Sequence, residues 1–183
     1  MNKKIIIACP RSGTTYISEL FQLNNIDIKH ECIGEDGISS WTLVGQDDES
    51  PWGPSFKYTM ETFKDNQVEI YHQVRHPLDV ISSMTTLKNV SFKYVQKHIP
   101  IENEDSQLLK CMKFWYYWNI KAETMTDKRY KLNDAKEYFG FNNDLDNKKV
   151  NSRDHKNYTF NDLYVEDKEL TNKIEILMDK YGF

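Results

Sequence analysis

Ile5-Ile6-Ile7-Ala8-Cys9-Pro10-Arg11-Ser12-Gly13-Thr14-Thr15 decides how this chain folds. Its first half is β-branched and apolar without interruption. Such a run suits a strand buried on both faces of a parallel sheet. Pro10 stops the strand. Tyr16-Ile17-Ser18-Glu19-Leu20-Phe21 then sets Ile17, Leu20 and Phe21 on one face of a helix that stops near Asn24-Asn25, with Ser12 or Thr14 as the expected cap. A loop between such a strand and helix gathers unpaired backbone N–H groups at the positive end of the helix dipole, where an anion fits. Gly13 lets the backbone approach a ligand closely. Ser12, Thr14 and Thr15 add hydroxyls, and Arg11 adds a permanent charge and a planar fork that matches a tetrahedral anion. The competing reading is an ordinary strand–turn–helix junction closed by a capping hydroxyl.

The loop is P-loop-like without being a Walker A sequence. That sequence needs GxxxxGK followed by Ser or Thr. Here Gly13 is the only glycine in the loop and no Lys follows it. A Cys-x5-Arg phosphatase loop counted from Cys9 fails as well, because position 15 is Thr15.

Outward from the loop, Ile26, Ile28 and His30 alternate with polar residues and predict a second short strand. Residues 31–57 have no clear periodicity and contain Trp41 and Trp52. A stretch of that length in a compact domain is usually functional or disordered, and its two tryptophans favour function. The pattern predicts a helix over 55–66, a strand over 68–75, and a helix opened by Pro77. The longest helix is expected over 104–126, with Trp115 and Trp118 in its apolar stripe. A last strand is expected at 129–132, a polar loop over 142–157, and one or two closing helices from Leu163 to Tyr181. Strands alternating with helices argue for one α/β domain over 1–183, three-layered, with a central, mainly parallel sheet flanked by helices.

Composition bounds the chemistry. Only 39% of the 183 residues are hydrophobic, but 11 Tyr, 9 Phe and 4 Trp supply large buried areas, so a folded domain is expected. The net charge of −4 leaves no broad electrostatic grip for nucleic acid or an anionic membrane, so an anion must be held locally. Three widely spaced cysteines without a CxxC pair, and five scattered histidines without HExxH, indicate neither a disulfide framework nor a metal site. The apolar run at 5–9 is too short for a signal peptide or a membrane span, so a cytoplasmic protein is expected.

The strand-to-helix grammar recurs at Val74-Arg75-His76-Pro77-Leu78-Asp79-Val80-Ile81-Ser82-Ser83. Arg75 ends a strand, and Ser83 stands two turns into the next helix. Both can face one point outside the carboxyl ends of the strands, where open α/β sheets bind ligands. Alone, Arg75 reads equally as a surface ion-pair residue.

Together the two stretches resemble the sulfotransferases that use 3′-phosphoadenosine 5′-phosphosulfate (PAPS). Pro10 to Thr15 matches the family's 5′-phosphosulfate loop, and Arg75, Pro77, Asp79 and Ser83 match its 3′-phosphate motif. Tyr130-Lys131-Leu132-Asn133-Asp134 is similar to a degraded form of a later family strand, with Asn133 where a Glu is usual. Asn151-Ser152-Arg153 and the run Tyr158 to Leu163 resemble the C-terminal loop and helix of compact microbial members. The resemblance implies in-line transfer of a sulfuryl group from PAPS to a hydroxyl or amine, without a metal. It implies donor binding by Arg11, Ser12, Gly13, Thr14, Thr15, Arg75, Ser83 and Arg153, with Arg11 as the catalytic cation. Relatives carry a basic Glu or His where His30-Glu31 stands; Glu31 is favoured, His30 is the runner-up and Asp36 a third option. Small-molecule, sugar, lipid or peptide acceptors all fit, although the acids at Glu31, Glu35, Asp36 and 47–49 disfavour a polyanionic glycan. A small-molecule P-loop kinase and a non-catalytic nucleotide-binding protein are the alternatives.

Overall fold

The structure is a computed structural model, and it describes residues 2–145 and 154–183. Five strands form one all-parallel sheet: β1 (Lys3–Ala8), β2 (Ile28–His30), β3 (Gly37–Ser39), β4 (Val68–Val74) and β5 (Arg129–Lys131), in the order β2-β3-β1-β4-β5. The expected α/β class, with its central sheet between helices, is what the chain adopts.

β1 shows why three layers form. Successive side chains on a strand face opposite ways. Ile5, Ile7 and Cys9 enter the larger core, beneath α3 (Pro77–Met84), α5 (Gln107–Glu123), α7 (Phe160–Glu166) and α8 (Lys168–Lys180). Ile6 enters the smaller one with Ile17, Leu20 and Phe21 of α1 (Thr14–Leu23), and Tyr71, its register partner on β4, goes the same way. Trp115 and Trp118 of α5 are fully buried, as the apolar stripe predicts. Ser106 accepts the Leu109 N–H at 3.0 Å and caps α5, setting its start later than the pattern alone suggests.

Two elements depart from the sequence reading. β3 lies inside the stretch that has no periodicity, because three residues are too few to show an alternation. After a 3₁₀ turn at Thr42–Gly45 and α2 (Phe56–Thr62), a further short helix, α4 (Asn89–Val95), packs its Tyr94 against that turn, donating its O–H to the Thr42 carbonyl at 2.9 Å. The last short helix, α6 (Ala135–Phe139), follows β5 on the α1 side of the sheet. Among the described residues, no helix is long and apolar enough to cross a membrane.

Candidate active site at the carboxyl ends of the strands

A cavity of about 760 Å³ runs along the carboxyl edge of the sheet. Its floor is the loop after β1. Arg11 (φ 66°) and Gly13 (φ 93°) both take left-handed backbone, which wraps the chain back on itself before α1. Gly13, not Ser12 or Thr14, is the N-cap of α1, with no side-chain cap bond. A left-handed cap favours glycine, and the hydroxyls are left for other partners. The first intrahelical bond of the loop runs from Ile17 N–H to Gly13 O at 3.0 Å, so the N–H groups of the first turn stand outside the helical ladder. Gly13, Thr14 and Thr15 line the cavity.

Ser12 behaves differently from the expectation. Its side chain is 1% exposed, lies beneath the loop rather than on the cavity wall, and its hydroxyl has no hydrogen-bond partner among the described residues. Its carbonyl accepts the Gln73 side-chain N–H at 2.8 Å, and Gln73 Oε1 accepts the Tyr130 O–H at 2.7 Å. Buried Gln73 and Tyr130 thus form a polar bracket under the loop. The bracket escaped the sequence reading; the available signal was Gln73, an uncharged polar residue one position before the end of the strand.

The second motif meets the first directly. Arg75 follows β4, and Pro77 opens α3. Arg75 Nη2 lies 3.3 Å from Asp79 Oδ2, and its Nη1 donates to the Arg11 carbonyl at 3.4 Å. Arg11 Nε donates to Ser83 Oγ at 2.8 Å. The residues after the undescribed segment return to α3, where Tyr158 N–H donates to Ser82 Oγ at 2.9 Å, and His155 and Asn157 line the cavity. Arg153 lies outside the described residues.

His30 ends β2 and Glu31 follows it with a left-handed backbone (φ 53°). His30 Nε2 sits 3.1 Å from Thr14 Oγ1 and 3.8 Å from Glu31 Oε1. Burial pushes the Glu31 carboxyl above the usual carboxylate range, a shift partly offset by a hydrogen bond with the Trp41 side chain; burial lowers the His30 imidazole. Asp36 is removed as a base. It precedes β3 at the amino edge of the sheet, where its carboxylate accepts the Asp27 N–H at 2.8 Å.

Trp41 and Trp52 both line the cavity, Trp52 being the more exposed at 38%. Trp41 also belongs to the core, edge-on to Tyr94 and Phe114 at 5.8 and 5.7 Å. Of the acids in the 31–57 stretch, only Glu31 reaches the cavity. Asp47 pairs with His98 at 2.7 Å and Asp48 with Lys57 at 3.1 Å. Charge in that stretch therefore says little about the ligand. Leu87, Lys88 and Ser91 complete the wall and had no signal in the sequence. The chain matches no protein-family profile, no curated protein and no solved structure.

Proposed function

We propose that the chain moves a sulfuryl group from 3′-phosphoadenosine 5′-phosphosulfate to a hydroxyl or amine acceptor. The observation that carries this reading is the Arg11–Ser83 hydrogen bond, which joins two anion-binding motifs 72 residues apart within one cavity. The volume of that cavity falls in the ordinary range for nucleotide-sized ligands. The donor supplies an activated sulfur and two anionic ends. The amino end of α1, with the Thr14 and Thr15 hydroxyls, receives the 5′ end. Arg75 and Ser83 receive the 3′-phosphate, and Asp79 holds the guanidinium of Arg75 in place.

Arg11 stays cationic at every working pH, so its contribution is electrostatic: it balances negative charge that develops between sulfur and phosphate. Glu31 takes the acceptor proton. The burial that raises its carboxyl brings its proton affinity closer to that of the group it must deprotonate. His30, kept neutral near pH 7 by burial, holds the Thr14 hydroxyl in the loop.

Adenosine 3′,5′-bisphosphate is expected to raise the melting temperature without Mg²⁺, and labelled donor is expected to pass its sulfur label to an acceptor. Stabilisation by ATP with Mg²⁺ but not by millimolar bisphosphate would replace this reading with small-molecule phosphoryl transfer. Bisphosphate binding without transfer to any acceptor would leave a nucleotide-binding protein.

A further inference from the structure

Glu31 is half-buried, and a carboxylate drawn out of water needs partners that hold its charge. One such partner comes from the neighbouring strand. β2 and β3 pair with His30 opposite Ser39, and the Glu31 N–H donates to the Ser39 carbonyl at 3.0 Å. That register brings Glu31, one residue beyond β2, beside Trp41, two residues beyond β3, and both line the cavity. There the Trp41 side chain makes a hydrogen bond with the Glu31 carboxylate. An indole has one N–H and no acceptor, so it can only donate. A donor of that kind stabilises the ionised carboxylate and opposes the effect of burial.

The core holds that donor in place. Trp41 is 6% exposed. Its ring meets Tyr94, Phe114 and Trp118 at 5.8, 5.7 and 6.0 Å, and its carbonyl accepts the Trp118 Nε1–H at 3.1 Å. A second layer stands behind these rings. The His98 ring lies 5.1 Å from Tyr94 and 5.8 Å from Trp118, and its Nε2 is 2.7 Å from Asp47 Oδ2, just past the 3₁₀ turn. Other charged groups also face Glu31. His30 lies 3.8 Å away, and the facing loops and helices bring Arg11, Tyr16, Arg75, Asp79, Lys88 and His155 to the same cavity. Of these, only His30, Asp79 and His155 change charge at acid to neutral pH.

We propose that Trp41 is a positioning residue for Glu31: its indole N–H holds the carboxylate in one orientation and in its ionised form. A base drawn out of water has two needs that conflict. Burial raises its proton affinity, but a base that already carries a proton cannot take another. A fixed donor keeps the group ionised at a pH where burial alone would fill it. The part Glu31 plays as a base rests on the sulfuryl-transfer reading; its coupling to Trp41 does not.

NMR titration of the full chain, carrying ¹³C at its glutamate carboxyls, tests the inference, with Glu31→Gln assigning the Glu31 signal. Trp41→Phe, which keeps a ring in the core, is expected to raise the midpoint of Glu31 by about one pH unit. A midpoint that stays or falls in the folded variant overturns the inference. A second arm needs no change in the core, and it decides if Trp41→Phe does not fold. The Trp41 indole N–H resonance of the unaltered chain is expected to move with the Glu31 midpoint, and Glu31→Gln to abolish that movement. An indole resonance indifferent to Glu31 overturns the inference. The sulfuryl-transfer reading fails by a separate result, the absence of bisphosphate binding, which leaves both titrations readable. Where transfer is measured, the acid limb of the pH–rate profile is expected to move up with the Glu31 midpoint in Trp41→Phe. A rate lowered at every pH with the limb unmoved marks lost packing alone and overturns the inference as well.

Discussion

The loop after β1 and the wall beside β2 and β3 face each other across one cavity, yet they are built in opposite ways. The loop is made by local backbone rules. Proline ends a strand, two left-handed residues turn the chain, and a helix begins. Its support is polar and buried, the Tyr130–Gln73–Ser12 bracket. The wall is made by distant contacts. Trp41 is held by α4 and α5, and Glu31 by the glycine that follows Trp52, since a Cβ on Gly53 (φ 71°) would lie 2.0 Å from the Glu31 carbonyl oxygen. The loop's turn is local although its bracket is not; the wall depends on packing throughout. Binding of the anion and reactivity of the acceptor should therefore be separable.

Arg11→Ala is the strongest way to break that separation. It should lower transfer by about 10²–10³-fold while weakening bisphosphate binding by less than about tenfold. Parallel losses, read by kinetics and calorimetry, would mean that the loop only binds.

On the opposite wall, Glu31→Gln should lower transfer by about 10²-fold and leave bisphosphate affinity intact. It should also erase the acid limb of the pH–rate profile. Glu31 becomes a base by losing its proton, so the rate rises with pH, and the limb lies above the usual carboxylate range because burial raises this group. The sign for stability is the reverse. A carboxyl raised in the folded state keeps its proton longer there than in the unfolded chain. Stability therefore falls as pH rises from the unfolded value through the folded one, and Glu31→Gln removes that fall, as urea titrations across acid pH would show.

Gly53→Ala presses on the same wall from behind. It should cost about 2 kcal/mol in urea unfolding, through strain at a left-handed position and displacement of the Glu31 carbonyl. Transfer should drop while the bisphosphate still binds. Tyr130→Phe sharpens the comparison from the loop side with the smallest effect. Gln73 Oε1 loses its buried donor, about 1 kcal/mol of stability is lost, and bisphosphate binding weakens while the acceptor KM stays unchanged.

The same contrast explains what could be read from the chain before its structure. β1, α1, β4, α3 and α5 each carry enough residues for a period to show, and Arg75 and Ser83 were placed correctly at a strand end and two turns into a helix. Their meeting with Arg11 followed from a parallel sheet, because adjacent strands point their carboxyl ends the same way. β3 and α4 were missed because each is short and owes its place to tertiary contacts, including Tyr94 on the 3₁₀ turn. Asp36 was misjudged because proximity in sequence to Glu31 hides a reversal: one residue lies beyond the carboxyl end of β2, the other before the amino end of β3. The Ser12 hydroxyl turns beneath the loop, and motif spacing does not say which side of a loop a side chain takes. Trp41 and Trp52 were placed at the site by their position in a long aperiodic stretch, and both do line it.

The all-parallel sheet has a consequence for descent and for engineering. Loops at its carboxyl edge line the cavity, while the amino edge holds the Asp27–Asp36 turn. The exposed positions Trp52 and Lys88, with the half-buried Leu87, can be varied as a set while Glu31, the buried Trp41 and the β1 and β4 loops stay fixed. Under the sulfuryl-transfer reading proposed above, a library built on that division would explore new acceptors under a constant donor, and a lineage could change its substrates in the same way.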